Sequence, residues 1–502
     1  MQKDGWGAWW VSVTLGAVPL PAPVRQLAIL IGLLGVGVAS LTVAQRIGSP
    51  WPLEWMEGAI LHHALRILHG QAIYTAPSAE FIPFVYPPLS YLPIAACIAL
   101  FGPELWAGRL PSVLAFAGSL FCIFRMLRRE TGFAALGCWG AGIFALGFGY
   151  TGAFLDLVRV DAVFVLLVLL GIERLSAGAV TAGLCCLAAS CLAKQHGSFF
   201  LLASALWLMR EAGRQYLLRL AAAVIALALV VGWLDVSSRG AFASYVFWVP
   251  AGHGLEPPLL VSYVLVDVLV YLPVLALFSG LGLARGSVPG CFGFWLAAGL
   301  VASALGRAHP GGDDNVRLPG FALLVLCAGL AFPQLWAAAR NGTRRALYAA
   351  GLAGQALLLL QLPAAHSPRP EQAEAFRALR SALSRCAGGE LSRAVALDHT
   401  LFTGRPFLHT FALSDLELAV PKDQGAAALA TRALVRALAS ADAPPSVAVS
   451  ATFPPLQAAL DEHYEPCAEL PALRMPTGYA LGRTHVYRRR AAQVAGAGLL
   501  WR

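Results

Sequence analysis

Long apolar runs separated by short polar stretches make up the first three quarters of the chain. A helix needs about 20 apolar residues to cross about 30 Å of hydrocarbon. The pattern therefore predicts an α-helical polytopic membrane protein with eleven spans, at about residues 26–45, 105–125, 133–153, 160–175, 178–193, 197–209, 219–235, 259–282, 289–306, 319–337 and 346–363. The three segments between residues 160 and 209 are short for spans.

Residues 89–101 are apolar but are not counted as a span. The run has 13 residues between Pro87-Pro88 and Gly102-Pro103, and runs of this length are more often interfacial or re-entrant. With the N-terminus inside, the inner loops then hold 13 basic and four acidic residues, and the outer loops before residue 364 hold eight basic and ten acidic residues. The positive-inside rule favours this topology, which places the C-terminus outside.

The composition agrees with a membrane protein. Of the 502 residues, 58% are hydrophobic and 13% are charged, whereas soluble domains carry about 25% charged residues. A soluble multidomain enzyme is therefore excluded. In a membrane protein the positions of Lys and Arg indicate topology before they indicate partners, and the formal charge of +9 is read in this way. The absence of a lysine-rich tract argues against a nucleic-acid partner.

The chain divides into two predicted parts. Residues 1–364 form the membrane domain, with a first outer loop at about 46–104. Residues 365–502 are more polar and combine helical patterns (EQAEAFRALRSALSR, ATRALVRALAS) with short strand-like stretches (RAVALDH, SVAVSA), which predicts a small α/β domain outside the membrane. Cys386 and Cys467 are the two cysteines of this region, and an oxidising compartment favours a disulfide between them.

Acids, histidines and cations gather in the outer loops, whereas the inner loops hold mostly arginines. The first outer loop is the richest, with an amphipathic interfacial helix from Met56 to His69 and Glu57 in its first turn. A favourable interaction with the helix dipole would also account for Glu57. Asp156 is expected to be a solvated loop residue. Asp267 lies inside an apolar run, and the sequence indicates no partner for it.

An ordered set of motifs occurs over roughly residues 45–210. Glu57 is followed by Ala64, Leu68, Gly70, Tyr74 and Pro87-Pro88-Leu89, then by FGPELWAGRLPSVL at 101–114 and by RVDAV, which contains Arg159 and Asp161. This order resembles the GT-C superfamily of polyprenyl-phosphate-sugar glycosyltransferases, in particular the bacterial aminoarabinose-transferase-like enzymes (family 39/83-type). The resemblance implies a GT-C-type helix bundle with interfacial helices in the first periplasmic loop.

The resemblance also implies an activity. A sugar would move from a polyprenyl-phosphate donor to a cell-envelope acceptor (a lipid, glycan or protein), usually with inversion, at the periplasmic face of the bacterial inner membrane. Glu57 would be the general base and Asp161 the second acidic site, which aligns the acceptor or holds a divalent cation. The implied substrate-binding residues are Glu54, Tyr86, Arg109, Arg159, Lys194, Gln195, Asp313, Asp314 and Asn315.

Two departures from the family pattern leave alternatives open. The family's Asp-Glu pair is Met56-Glu57 here, so the base is either Glu57 or Glu54. Tyr86 stands where similar enzymes carry a Lys, which leaves both the metal site and the donor class open. Lys194 is the candidate cation for the leaving phosphate, although a lysine at that depth also snorkels without any such role.

Two further assignments have structural alternatives. Asp161 could pair with Arg159, and residues 313–315 could be a polar turn.

Two other functions also remain: a secondary transporter, whose polar sites lie near the midplane, and a non-catalytic envelope assembly factor. The transporter is disfavoured because Asp267 is the one polar candidate at that depth and no two-fold repeat is detectable.

Overall fold

The computed structural model describes residues 19–211, 214–397, 410–419 and 425–490. Residues 1–18, which belong to the charge argument above, lie outside this range. The longer helices are α1 Ala22–Ile47, α2 Glu57–Leu68, α3 Tyr91–Phe101, α4 Leu105–Thr131, α5 Ala134–Leu146, α6 Asp161–Ser176, α7 Val180–Ala193, α8 Gly197–Glu211, α9 Arg214–Ser237, α10 Pro273–Ala284, α11 Gly290–Ala308, α12 Leu318–Ala338, α13 Gly342–Leu359, α14 Pro370–Cys386, α15 Thr410–Ala419, α16 Ala426–Ala439 and α17 Pro454–His463.

Every predicted span overlaps a helix, although 259–282 is divided between a bent helical segment and α10, and the chain is a multi-pass membrane protein. Six helices are long and apolar enough to cross a membrane, within the part of the chain that the structure describes: α1, α4, α9, α11, α12 with the turn before it, and α13 extended to Ala365. Five further apolar helices are shorter, and α6 corresponds to the predicted span 160–175. The total of eleven spans stays a prediction.

The segment before α10 departs from a simple span. Residues Ala241–Gly252 and Pro257–Val270 form two apolar helical stretches that bend by 84° at the break between them. Part of each is π-helical, at Ser244–Trp248 and at Tyr263–Val270. Sequence analysis placed the first stretch in an outer loop, although its letters FASYVFWVPAG are largely apolar.

Small residues let the bundle helices approach closely. Gly32 and Gly35 of α1 face α5, where a Cβ on Gly35 would lie 2.2 Å from the carbonyl oxygen of Gly142. No larger side chain fits this crossing without moving the backbone, a common arrangement between membrane helices. The tight contact fixes α1, and therefore the start of the first loop, against the bundle.

The C-terminal part is a small α/β unit. Its strands are β1 Val395–Ala396, β2 Ser446–Val449, β3 Tyr464–Leu470, β4 Leu473–Arg474, β5 Ala480–Leu481 and β6 Thr484–Arg489. The main sheet has the order β1-β2-β6-β3, with β1 parallel to β2 and the other neighbours antiparallel. The end of the RAVALDH stretch, beyond residue 397, lies outside the described residues.

A disulfide joins α14 to the sheet. Cys386 at the end of α14 is bonded to Cys467 of β3, the pairing expected from the sequence. The other eight cysteines are free thiols, as their apolar surroundings suggested.

The C-terminal unit packs directly on the first loop. One hydrophobic cluster continues from α2 and α3 through Phe242–Val249 to α15, α16 and α17. A second contact stacks Trp51 on Phe376 of α14, with ring centroids 5.6 Å apart. The unit therefore covers the end of the bundle from which the first loop extends.

Candidate active site

The outer-loop acids predicted from the sequence form two groups at this end of the bundle. We call the first group the anchor; it consists of Arg46, Glu57, Arg109 and Asp156. We call the second group the Arg159 cluster; it consists of Glu54, Arg159, Asp161, Lys194 and Asn315. All nine residues are buried.

Glu57 is fully occupied by hydrogen bonds. Arg109 Nε and Nη2 donate to its two oxygens at 2.8 and 2.7 Å, and the backbone N–H groups of Leu53 and Val158 donate at 2.7 and 3.1 Å. Burial alone would raise the pKa of Glu57, but Arg109 and these N–H groups bring the pKa below its usual value. A carboxylate so engaged is poorly placed to take a proton.

Arg109 ties the first loop to the bundle. Beyond Glu57, its guanidinium donates to the carbonyl oxygens of Ser49 and Trp51 at 2.7 and 2.9 Å. Because Val158 also donates to Glu57, this buried pair joins α4, the first loop and the segment before α6. In this structure Arg109 makes structural contacts, and its predicted contact with substrate stays a prediction.

Asp156 belongs to the same anchor, so its assignment as a solvated loop residue is wrong. It is fully buried and accepts two hydrogen bonds from Arg46, at 2.7 and 2.9 Å. Arg46 also donates to the carbonyl oxygens of Ala153 and His366. A buried carboxylate needs such a partner, and Arg46 lies 110 residues away in the sequence.

Asp161 opens α6 and is the centre of the second group. Its Oδ1 accepts from Lys194 Nζ at 2.6 Å and from Asn315 Nδ2 at 3.0 Å. Its Oδ2 lies 3.5 Å from Arg159 Nε, and both of these atoms are buried without a hydrogen bond in the described structure. The pairing with Arg159 that the sequence offered as the structural alternative is therefore present, and Lys194 is a second partner of Asp161. A role in aligning the acceptor or holding a divalent cation stays a prediction.

A small cavity opens beside this carboxylate. Its volume is about 10 Å³, and its wall includes Asp161, Lys194, His196 and Asn315. This is room for roughly one water molecule. His196 Nδ1 is buried without a hydrogen bond in the described part of the chain, and burial lowers the pKa of His196 to about 3, so the ring is neutral. The wall of the cavity thus includes buried polar atoms without a hydrogen bond in the described structure, and such atoms are rare in native proteins.

Glu54 lies on the other side of Arg159. It accepts one hydrogen bond from the N–H of Met56 at 2.9 Å, and its Oε2 is 3.6 Å from Arg159 Nη1. Burial raises the pKa of Glu54 to about 7, against the opposing effect of Arg159. Glu54 is thus the carboxylate of the first loop that can exchange a proton near neutral pH.

Tyr86 and Gln195 frame the Arg159 cluster. The Tyr86 hydroxyl is 3.5 Å from Arg159 Nη2, and burial raises its pKa to about 12, so it remains a neutral donor. Gln195 donates to the carbonyl oxygens of Val85 and Val246, the latter at 2.9 Å. Gln195 therefore holds the first loop against the Ser244–Trp248 segment and does not face the cavity.

A third group supplies the partners that sequence analysis did not find for Asp267. Arg317 Nη2 lies 3.0 Å from Asp267 and 2.5 Å from Asp314, and Arg307 Nε lies 3.3 Å from Asp267. Asp313 accepts from the N–H of Asp314 at 2.7 Å. The loop at 313–317 is thus a polar turn that also contributes to the Arg159 cluster, because Asn315 donates a hydrogen bond to Asp161.

One acidic residue of the C-terminal unit also approaches the cluster. Burial raises the pKa of Asp415 in α15 to about 7, with the charge of Arg159 opposing the rise. His253 Nε2 lies 2.7 Å from the carbonyl oxygen of Asp415, and His253 Nδ1 lies 2.6 Å from His309 Nε2. Sequence analysis missed Asp415, since nothing in a short helix 254 residues after Asp161 indicates that it lies within the electrostatic influence of Arg159.

The described residues contain no group of three His, Cys, Asp or Glu side chains arranged to hold a metal ion. The carboxylates of the Arg159 cluster face Arg159 and Lys194 instead. These cations supply the positive charge that a divalent ion would bring, so the donor set does not fit a resident metal.

The whole chain resembles solved structures of one enzyme. It superposes on ArnT from Cupriavidus metallidurans in the apo state with a TM-score of 0.54 and 14% identity, over 92% of this chain and 98% of that chain. For ArnT bound to undecaprenyl phosphate the TM-score is 0.55, again at 14% identity, over 93% and 98%. No protein-family model and no curated protein matches the sequence. The chain therefore has an ArnT-like fold, as the resemblance of its sequence motifs implied.

Proposed function

We propose that this chain is a membrane glycosyltransferase that moves a sugar from a polyprenyl-phosphate donor to an acceptor of the cell envelope. The reaction would take place at the periplasmic face of the bacterial inner membrane, in the Arg159 cluster. The observation that carries the proposal is the pair of buried carboxylates, Glu54 and Asp161, on either side of Arg159 in a chain with an ArnT-like fold.

Glu54 is the general base in this proposal. It takes the proton of the acceptor hydroxyl or amine while the acceptor atom attacks the anomeric carbon. The bond from that carbon to the phosphate oxygen breaks, and its electron pair leaves with the polyprenyl phosphate. A base with a pKa of about 7 suits this step because it is both deprotonated and basic near neutral pH.

Lys194 and Arg159 stabilise the leaving group. The phosphate gains negative charge as the bond breaks, and fixed cations in a site shielded from water lower the energy of that state. Asp161 holds the Lys194 ammonium at 2.6 Å, and Asn315 donates to the same carboxylate oxygen at 3.0 Å. Tyr86 stands where similar enzymes carry a Lys, and its neutral hydroxyl accepts from Arg159 Nη2 at 3.5 Å.

The test is transfer of radiolabelled sugar from polyprenyl-phosphate donors to an envelope extract by the purified full chain. We expect Glu54→Gln to lower the rate by about 10²–10⁴-fold, the usual contribution of a general base. Glu104→Gln is the matched control, because Glu104 is an exposed carboxylate at the end of the same loop. Thermal unfolding verifies that both variants remain folded.

Three outcomes separate the possibilities. Transfer by the wild type that Glu54→Gln abolishes and Glu104→Gln retains supports both the reaction and the base. Full activity of folded Glu54→Gln returns the role of the base to Glu57 or Asp161. Absence of transfer from every donor contradicts the proposed reaction and favours a transporter or an assembly factor.

A further inference from the structure

A basic groove lies where the C-terminal unit meets the first loop, outside the Arg159 cluster. It has a volume of about 410 Å³, within the range of about 300–1,000 Å³ that ligand sites occupy. Its lining consists of Trp51, Arg377, Arg380, Ser381, Ser384, Arg385 and Leu391. We call this site the arginine groove.

The three arginines lie on one face of α14 because of helical spacing. Residues 377, 380 or 381, and 384 or 385 follow each other along one side of a helix. The opposite face carries Phe376, Leu379 and Leu383, which are buried. Since the apolar face packs inward and the disulfide at Cys386 fixes the end of the helix, the arginine face must point outward.

No carboxylate pairs with these arginines in the described part of the chain. Other arginines of the same unit do have partners, such as Arg393 with Glu390 and Arg488 with Glu465. Arg385 donates to the hydroxyl of Ser381 at 2.5 Å. The groove therefore collects two or three uncompensated positive charges beside two hydroxyl groups.

Both walls of the groove are tied to the ends of membrane helices. Trp51 follows the end of α1 by four residues, and α14 begins eleven residues after α13 ends. Arg46 of α1 donates to the carbonyl oxygen of His366, and Ser367 donates to Gln45. The groove thus lies close to the membrane surface, where aromatic residues such as Trp51 are typical.

From these observations we infer that the arginine groove binds the phosphate headgroup of an anionic phospholipid of the surrounding bilayer. Guanidinium groups match phosphate oxygens in a two-pronged geometry, and serine hydroxyls add donors. The half-buried ring of Trp51, which lines the groove, offers an apolar wall for the glycerol end of the lipid. The inference does not rest on the proposed transfer reaction.

The test measures binding of water-soluble dihexanoylphosphatidylglycerol to the purified full chain in neutral maltoside micelles, by calorimetry. Dihexanoylphosphatidylcholine and inorganic phosphate are the comparison probes. We expect phosphatidylglycerol to bind more tightly than either probe, and its affinity to fall as salt rises from 50 to 300 mM, because salt screens exposed charges.

Matched variants assign the binding to the groove. Arg377→Gln with Arg380→Gln should weaken phosphatidylglycerol binding by at least tenfold, and the corresponding Lys pair should retain part of it. Arg432→Gln with Arg436→Gln is the control, since it removes the same charge from the exposed face of α16. The control pair should bind as the wild type does.

Several results would overturn the inference. Equal binding by the Arg377/Arg380 variant, or an equal loss in the control pair, would show that binding follows overall charge and not the groove. Wild-type binding of phosphatidylcholine as tight as that of phosphatidylglycerol would remove the requirement for an anionic lipid. Binding of inorganic phosphate that is equally tight and equally dependent on Arg377 and Arg380 would replace the lipid by a free phosphate group.

Discussion

Glu54 and Glu57 are three residues apart in the same loop, and both are buried, yet their surroundings differ. Glu57, in the anchor, accepts four hydrogen bonds and faces Arg109 at 2.7 Å. Glu54, in the Arg159 cluster, accepts one from Met56 and lies 3.6 Å from its nearest guanidinium nitrogen. The two carboxylates are equally buried, and they differ in how completely the surrounding donors and cations compensate their negative charge.

The same contrast separates the two groups as wholes. In the anchor, Arg46 and Arg109 meet their carboxylates in paired hydrogen bonds. In the Arg159 cluster, Asp161 Oδ2 and Arg159 Nε are buried without a hydrogen bond, within the described residues. Complete pairing serves the fold, whereas unpaired buried atoms are tolerated where a substrate supplies the missing partner.

The largest effect on stability is expected in the anchor. Arg109→Met leaves Glu57 buried without its cation, which should lower the free energy of unfolding by about 3–5 kcal/mol. Denaturant titration of the purified chain in detergent measures this loss. Arg340→Met, which removes an exposed arginine in a loop, should change stability by less than about 0.5 kcal/mol. Equal stability of the two variants would contradict a structural role for Arg109.

Lys194→Met tests the other side of the comparison. Loss of a cation at the developing phosphate charge should lower kcat by about 10²–10³-fold, while Arg159 at 3.5 Å continues to compensate Asp161. The measurements are kcat for sugar transfer and denaturant titration in parallel. A loss of stability as large as that of Arg109→Met would place Lys194 with the anchor, whereas Lys194→Arg should recover part of the rate.

The pH dependence distinguishes the two glutamates directly. With Glu54 as the base, kcat/KM should fall tenfold per pH unit below about 7 and level off above it, because the protonated carboxyl cannot accept the acceptor's proton. The pKa of Glu57 is below its usual value, so a profile flat from pH 6 to 8 would favour Glu57. Asp415 also titrates near 7, and Asp415→Asn should keep the inflection if Glu54 causes it.

Sequence analysis predicted the helices from the length of the apolar runs, the polar end of the bundle from the distribution of charge, and the disulfide from the positions of the cysteines. Each of these features can be read directly from the sequence. Sequence analysis was less successful in ranking the candidate functional residues at that end of the bundle. Glu57 matches the family pattern better than Glu54, but its contacts come from Arg109 and Val158, far along the chain. Asp156 looked solvated for the same reason, since Arg46 is 110 residues away. Pairing over such distances depends on the tertiary fold.

The smallest effect should come from the C-terminal unit, which belongs to neither group and touches the cluster from outside. The Asp415 carbonyl oxygen can only accept, so His253 Nε2 donates to it, and His253 Nδ1 accepts from His309 Nε2. Each such bond contributes about 0.5–1.5 kcal/mol. His253→Ala should therefore release α15 and raise KM for the acceptor by about two- to tenfold, with kcat nearly unchanged.

The control for His253→Ala is His69→Ala, which removes an exposed histidine at the end of α2 and should leave both constants unaltered. A fall in kcat equal to that of Lys194→Met would mean that Asp415 belongs to the Arg159 cluster itself and takes part in the transfer step. A change confined to KM would instead mean that α15 shapes the acceptor's entrance. The C-terminal unit would then contribute to function through α15, whose Asp415 is influenced by the charge of Arg159, and to the fold through its sheet.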